Sequence, residues 1–303
     1  MLPVQWQWRG VALKTVPFFY LAMIFGMALP ACGPSQAEFA MQTAQAQTAI
    51  AASWSATPYP PEITDAKSVS MRLVPAGEFT MGSDTDDSDL NRAHRVSLDA
   101  FYMDTYEVTN AHYEVCVTAG VCEPPQQTKS DFRASYYGDA QFDNFPVIYV
   151  NWSMARTYCE SWREARLPTE AEWEKAARGT DGRTYPWGEG ISCDRANYDG
   201  DPDFDLFCVG ETAAVGHYES GQSPYGLYDM AGNVFEWVSS LNKSYPYNAT
   251  DGREELIGGG SRVIRGGAWS EDSNDQQVFY RSWIGPNYSE GVIGFRCARD
   301  AAP

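Results

Sequence analysis

The chain has 303 residues, 44% of them hydrophobic, and sets 22 Lys and Arg against 40 Asp and Glu for a formal charge of −18. That length and apolar content allow one large core or two modest ones. The acidic balance argues against nucleic acid as a partner, because an anionic surface repels phosphate backbones.

Arg9 and Lys14 precede an apolar run from Val16 to Ala31, followed by Cys32. A basic start, a short apolar stretch and small residues before a processing point describe a secretory signal rather than a spanning helix. An ordinary cleaved signal and an uncleaved anchor are the alternatives. Leu29-Pro30-Ala31-Cys32 resembles a bacterial lipobox, which would lipidate Cys32 and tie the mature N-terminus to a membrane. Residues 1–31 are therefore expected to be a lipoprotein-type signal peptide, placing the protein in the cell envelope or on the cell surface. Residues 32–67, rich in Ala, Gln, Thr, Ser and Pro, bury too little apolar surface to fold and are expected to be a flexible linker. The folded domain is expected over 68–300.

Alternation from His94 to Asp104 reads as strand, and Tyr106 to Gly120 as a helix with Thr109 as N-cap and Gly120 at its end. Thr169 with Glu172 forms a capping box that opens a helix running to about Arg178. Glu170, Glu172 and Glu174 look like paired carboxylates for acid–base work, but a cap and a helix face account for them. Beyond Gly179 the density of Gly, Pro, Asp and Asn predicts sparse regular structure, and such loops need disulfides or bound cations to pin them. Tyr225 to Trp237 packs Asp229, Gly232 and Glu236 into thirteen positions without helix or strand periodicity. Carboxylates and bent backbone carbonyls together suit a hard cation such as calcium; a tight turn whose polar groups satisfy one another is the alternative.

The seven cysteines are Cys32, Cys116, Cys122, Cys159, Cys193, Cys208 and Cys297. With Cys32 lipidated the rest form an even set in an oxidising compartment, whose pairing sequence alone does not choose. A zinc site competes poorly, since no spacing is CxxC and the chain has only three histidines, His94, His112 and His217. The ten Trp and 18 Tyr serve as core filling for a loop-rich fold or, in part, as a recognition surface.

Five motifs occur in order: LVPAGEFTMGS (Leu73–Ser83), LDAFYMDTYEVTN (Leu98–Asn110), RLPTEAEWEKAAR (Arg166–Arg178), YGLYDMAGNVFEW (Tyr225–Trp237) and VIRGGAW…IGFRC (Val263–Cys297). Together they resemble the formylglycine-generating enzyme (sulfatase-modifying factor) family, from about Met71 to Asp300. The resemblance implies an α+β fold: one compact, loop-rich domain related to the C-type lectin fold, with disulfides and bound structural calcium. It implies a Cys159–Cys297 bond, after which local pairing suggests Cys116 with Cys122 and Cys193 with Cys208. It implies one calcium site on Glu107, Asp229 and Glu236 with the carbonyls of Gly232 and Val234. A second would use Asn197, Tyr198, Asp205 and Phe207, although Asp199, Asp201, Asp203 and Asp205 also read as a solvated acidic loop. Arg265, Arg281 and Arg296 are expected to anchor the C-terminal loops on carboxylates and carbonyls.

Active members of the family bind copper(I) through two cysteines five residues apart, shortly after the GG of this motif. Here Gly266-Gly267 leads into a segment without cysteine, and the two positions fall on Glu271 and around Gln276. Soft thiolates select Cu(I), so copper is left without its ligands and no catalytic residue is assigned. The resulting expectation is a noncatalytic domain that binds a protein, peptide or glycan through the cleft segment Ser270–Tyr288, with Trp269, Tyr280, Trp283 and Tyr288 as contacts. The alternatives are an oxidoreductase that converts cysteine to formylglycine in sulfatases by an atypical site, and an accessory subunit of an exported enzyme.

Overall fold

Among the described residues, short strands, three α-helices and long loops follow the α+β pattern the motifs imply. The computed structural model describes residues 59–84, 92–200 and 207–301. Among them, β1 (Glu62–Thr64), β2 (Ser70–Val74), β5 (Phe101–Asp104) and β10 (Ala298–Asp300) form an antiparallel sheet in the order β1-β2-β5-β10. β3 (Gly77–Met81) and β4 (His94–Leu98) form a hairpin pair. β6 (Phe235–Leu241), β7 (Arg262–Arg265), β8 (Ser282–Ile284) and β9 (Ile293–Gly294) form a second sheet, ordered β8-β7-β6-β9, with only the β6–β9 pair parallel.

The helices are α1 (Asn110–Thr118), α2 (Trp152–Thr157) and α3 (Glu170–Arg178). The Thr109 hydroxyl accepts from the His112 amide, so α1 begins at Asn110 rather than at Tyr106. The residues before it are extended: Val108 donates to Phe295 and accepts from Val147, pairing that a helix would forbid. The expected strand from His94 to Asp104 splits at Asp99–Ala100 into β4 and β5, which join different sheets. The Thr169–Glu172 capping box forms as predicted.

Two apolar clusters carry the core. One joins Tyr113 and Cys116 of α1, Trp152 and Ala155 of α2, Phe235 and Trp237 of β6, and Phe295. The other seats Trp173, Ala176 and Ala177 of α3 against Phe101, Met103, Val238 and Val263. Every residue of α3 is buried, its charged side chains included. Cys159–Cys297 closes a separation of 138 residues and ties the end of α2 to the strand end before β10. Cys116–Cys122 and Cys193–Cys208 close local loops, so all three expected pairs form.

The expectations for the signal segment, Cys32 and residues 32–58 lie outside the described residues. The linker expected to reach residue 67 does not: the fold starts by Tyr59. β1 pairs with β2, the Asp65 carboxylate is buried against Arg163, and Lys67 lies 3.5 Å from the Trp162 ring centre. A polar, Pro-rich composition hid this segment, because a strand added to a sheet edge needs backbone pairing more than apolar side chains. Among the described residues no helix is long and apolar enough to cross a membrane.

Arg296 grips Glu236 through two bonds, Nε to Oε2 at 2.7 Å and Nη2 to Oε1 at 2.6 Å, with neither side chain exposed. Trp173 Nε1 adds a bond to the same carboxylate at 2.8 Å. Arg296→Met leaves that carboxylate buried without its cation, and urea unfolding should show a loss of about 3–5 kcal/mol. A loss below about 1 kcal/mol would mean that the pair is solvated in solution.

Candidate functional site

The loop after α3 and the C-terminal loops meet at the turn that follows Gly266-Gly267. Gly267, at φ +72°, leaves room for the Gln276 side chain; a Cβ there would lie 2.2 Å from Gln276 Oε1. Gln276 is fully buried, and its Nε2 donates to the carbonyls of Ala268 at 3.0 Å, Glu271 at 3.1 Å and Asp272 at 3.2 Å. The two positions where the family places thiolates are therefore neighbours in space. An amide that braces the turn occupies one of them, and a carboxyl side chain occupies the other.

The four aromatic residues expected to contact a ligand do not form one surface. Trp269 is 4% exposed, with the exposed ring of Phe132 at 5.9 Å and that of Phe207 at 5.8 Å, both edge-on. Tyr280 is half-buried against the core. Trp283 on β8 and Tyr288 stand 45% and 59% exposed, and no ring contact joins the four. Phe132 was not legible as a site residue: it is a lone aromatic in a polar loop, brought to Trp269 only by the tertiary fold.

The first expected calcium set is brought together but is already satisfied. Glu236 is held by Arg296 and Trp173 as above. Glu107 Oε2 accepts from Asn233 Nδ2 at 2.6 Å, and Oε1 from the Val234 amide at 3.3 Å. Asp229 Oδ2 accepts from the Gly216 amide at 2.7 Å. Burial pushes the Asp229 carboxyl up to about 6, and burial with Asp229 and Glu236 nearby pushes Glu107 well above the usual carboxylate range. A cation ligated by Glu236 does not fit this arrangement.

The second set behaves differently. Gly232, at φ +82°, lets the 225–237 loop touch the Asn197 backbone, since a Cβ would meet Asn197 O at 2.3 Å. The Asn197 Nδ2 donates to Glu211 O at 2.6 Å, while its Oδ1 is buried with no partner. Tyr198 and Phe207 adjoin it through the Tyr198–Cys208 backbone bond and the Asp199–Phe207 bridge. An orphaned buried oxygen beside further carbonyls fits a hard cation. Asp201, Asp203 and Asp205 lie outside the described residues. Among the described residues no three His, Cys, Asp or Glu side chains cluster closely enough to hold a metal by themselves.

Copper does not fit. The described cysteines are all in disulfides, and positions 271 and 276 carry oxygen and amide groups. A cavity of about 600 Å³ elsewhere is lined by Tyr59, Tyr247, Glu172 and Glu254. Its buried carboxylates are spoken for, Glu172 by Arg166 and Glu254 by Ser239, Ser240 and Tyr247.

Fold and loops together define a disulfide-pinned α+β domain built around a buried charged helix. The sulfatase-modifying factor enzyme 1-like domain model matches residues 58–301, and the chain belongs to that family. It is 32% identical over 286 residues to the formylglycine-generating enzyme of Bos taurus, covering 76% of this chain and 74% of that protein. It is 29% identical over 297 residues to inactive C-alpha-formylglycine-generating enzyme 2 of Mus musculus, covering 79% of this chain and 89% of that one. A protein of Chlamydia pneumoniae named serine/threonine-protein kinase pkn1 is 33% identical over 248 residues; the match covers 76% of this chain but only 38% of that protein. The structure of PvdO from Pseudomonas aeruginosa superposes with a TM-score of 0.65 at 26% identity, covering 80% of this chain and 100% of that one.

The amide brace is open to test. Gln276→Ala removes the shared donor of three carbonyls and should cost about 2 kcal/mol in urea unfolding. Amide exchange in the 268–272 turn should accelerate with it, and unchanged exchange would remove Gln276 as the brace.

Proposed function

We propose that this chain is an exported, lipid-anchored member of the family that binds a protein, peptide or glycan ligand without catalysing the oxidation of cysteine. The observation that carries the reading is the exchange of two thiolate positions for Glu271 and Gln276, in a domain whose described cysteines are all disulfide-bonded. Oxidation of a cysteine by oxygen through Cu(I) needs soft ligands that this turn lacks. The basic start, apolar run and Cys32 support export and anchoring, and the three disulfides accord with an oxidising compartment. A relative named as inactive matches over most of its length. Cysteine-to-formylglycine conversion remains the rival reading through the family itself.

Titration of the full-length protein with Cu(I) in the presence of a cysteine peptide, followed by mass spectrometry, separates the two. We expect no stoichiometric copper uptake and no conversion. Conversion of the peptide above background would sink the noncatalytic reading.

Calcium is proposed at Asn197 Oδ1 with the carbonyls of Tyr198 and Phe207, as a pin for the long loops. Chelation with EDTA should then lower the melting temperature, and Asn197→Ala should abolish the difference between the calcium and EDTA curves. Identical melting with and without chelator in the unmodified protein would rule the site out.

A further inference from the structure

The loop that joins β6 to β7 is braced by its own arginine. Arg253 is fully buried; it donates to Asp251 and to the carbonyls of Ser244 at 2.9 Å and Pro246 at 3.4 Å, and lies 4.8 Å from the Tyr247 ring centre. The base of the loop is fixed on β6, where the Leu241 amide donates to the Arg253 carbonyl at 2.7 Å and the hydroxyls of Ser239 and Ser240 hold Glu254. Farther out, the rings of Tyr245 and Tyr247 pack on the cluster that Phe79, Met81 and Val96 of the β3–β4 hairpin form with Ala171. There the Tyr247 amide donates to His94 Nε2 at 2.8 Å, joining the loop to β4.

The partners decide the tautomer of this ring. An amide only donates, so Nε2 carries no proton while the bond stands. The Arg92 carbonyl, 2.9 Å from Nδ1, only accepts, so the ring proton sits on Nδ1. A second proton then has a single place to go, Nε2, where it would face the Tyr247 N–H as one donor against another. The Tyr245 ring stands edge-on to the imidazole at 4.7 Å; behind it are Arg281, 4.6 Å from the ring centre, and Glu170, 3.3 Å from the hydroxyl. Arg95, next along β4, pairs with Glu78 of β3, and Met81 stands opposite His94 in the hairpin. The Tyr247 hydroxyl is turned to Glu254. Among the described residues no carboxylate hydrogen-bonds to the imidazole, so none offsets the lost bond.

We propose that His94 is a proton-operated latch, whose second proton releases Tyr247 and frees the outer part of the β6–β7 loop from β4. The bond ties together two walls of the cavity of about 600 Å³: Ser97, Leu98 and Asp99 line it from the end of β4, and Tyr247, Ala249 and Glu254 line it from the loop. Release therefore widens that cavity, while the base of the loop stays on β6. The sign follows from the tautomer. The latch is closed where the imidazole is neutral, and it opens as pH falls through the range of about 8 to 5 in which histidine changes charge.

The test is hydrogen–deuterium exchange on the full-length protein at about pH 8 and about pH 5, corrected for the intrinsic effect of pH on exchange. Amides of 245–254 should exchange about tenfold faster at the lower pH, with α1, α2 and α3 unchanged. His94→Gln supplies a side-chain carbonyl that accepts the same amide and takes no proton, so its loop should stay protected at both pH values. His94→Phe removes the acceptor, and its loop should be fast at both. Nitrogen NMR of the three histidines should show the His94 ring unprotonated at Nε2 at the higher pH, with that signal missing from His94→Gln. Equal corrected exchange at the two pH values, acceleration spread evenly over the whole domain, or a His94 ring protonated at Nε2 at the higher pH overturns the proposal in the unmodified protein, whether or not the variants fold. A pH-dependent loop in folded His94→Gln overturns it as well.

Discussion

The fold depends on carboxylates of α3 being buried and held by arginines that come from far along the chain. Glu170 reaches Arg281 and Glu174 reaches Arg265, separations of 111 and 91 residues. Taking such ions out of water costs several kcal/mol each, and only a full set of partners offsets it. The partners are there: Arg265 also donates to the carbonyls of Val278 and Phe279, and Arg281 to that of Lys243. Each arginine thereby fixes a stretch of loop that has no strand or helix to order it. The gain lies in specification more than in net stability, because a slipped loop would strand a buried charge. Trp173, on the same helix, extends the arrangement to Glu236 and through it to Arg296.

That dependence explains which parts of the molecule were legible in sequence. The capping box at Thr169 and the N-cap at Thr109 are local chemistry, readable within four residues. The arginine anchors were legible through the family motifs. The full burial of α3 was not, since Glu170 and Glu174 have the composition of a solvated face, and the distant Arg281 and Arg265 are what make their burial tolerable. The edge strand β1 escaped for a related reason: its stability lies in backbone pairing with β2, which leaves no apolar pattern in Glu62–Thr64. At the cleft, the loss of the thiolate pair was plain in the residues. The Phe132–Trp269 contact was not, because it needs the turn to be folded before the partners meet.

The turn after Gly267 is held by its own side chains. Gln276 needs the glycine's open space to reach three carbonyls, and a carboxyl and an amide stand where the family resemblance places thiolates. A soft-metal site tolerates no such exchange, whereas a recognition surface on the same backbone does. The disulfides follow the same logic. They use thiols to close loops in a domain with little regular structure, and a thiol in a disulfide is no longer a metal ligand. Rigidity and copper chemistry therefore compete for one residue type, and in the described part of this chain rigidity has taken all of it.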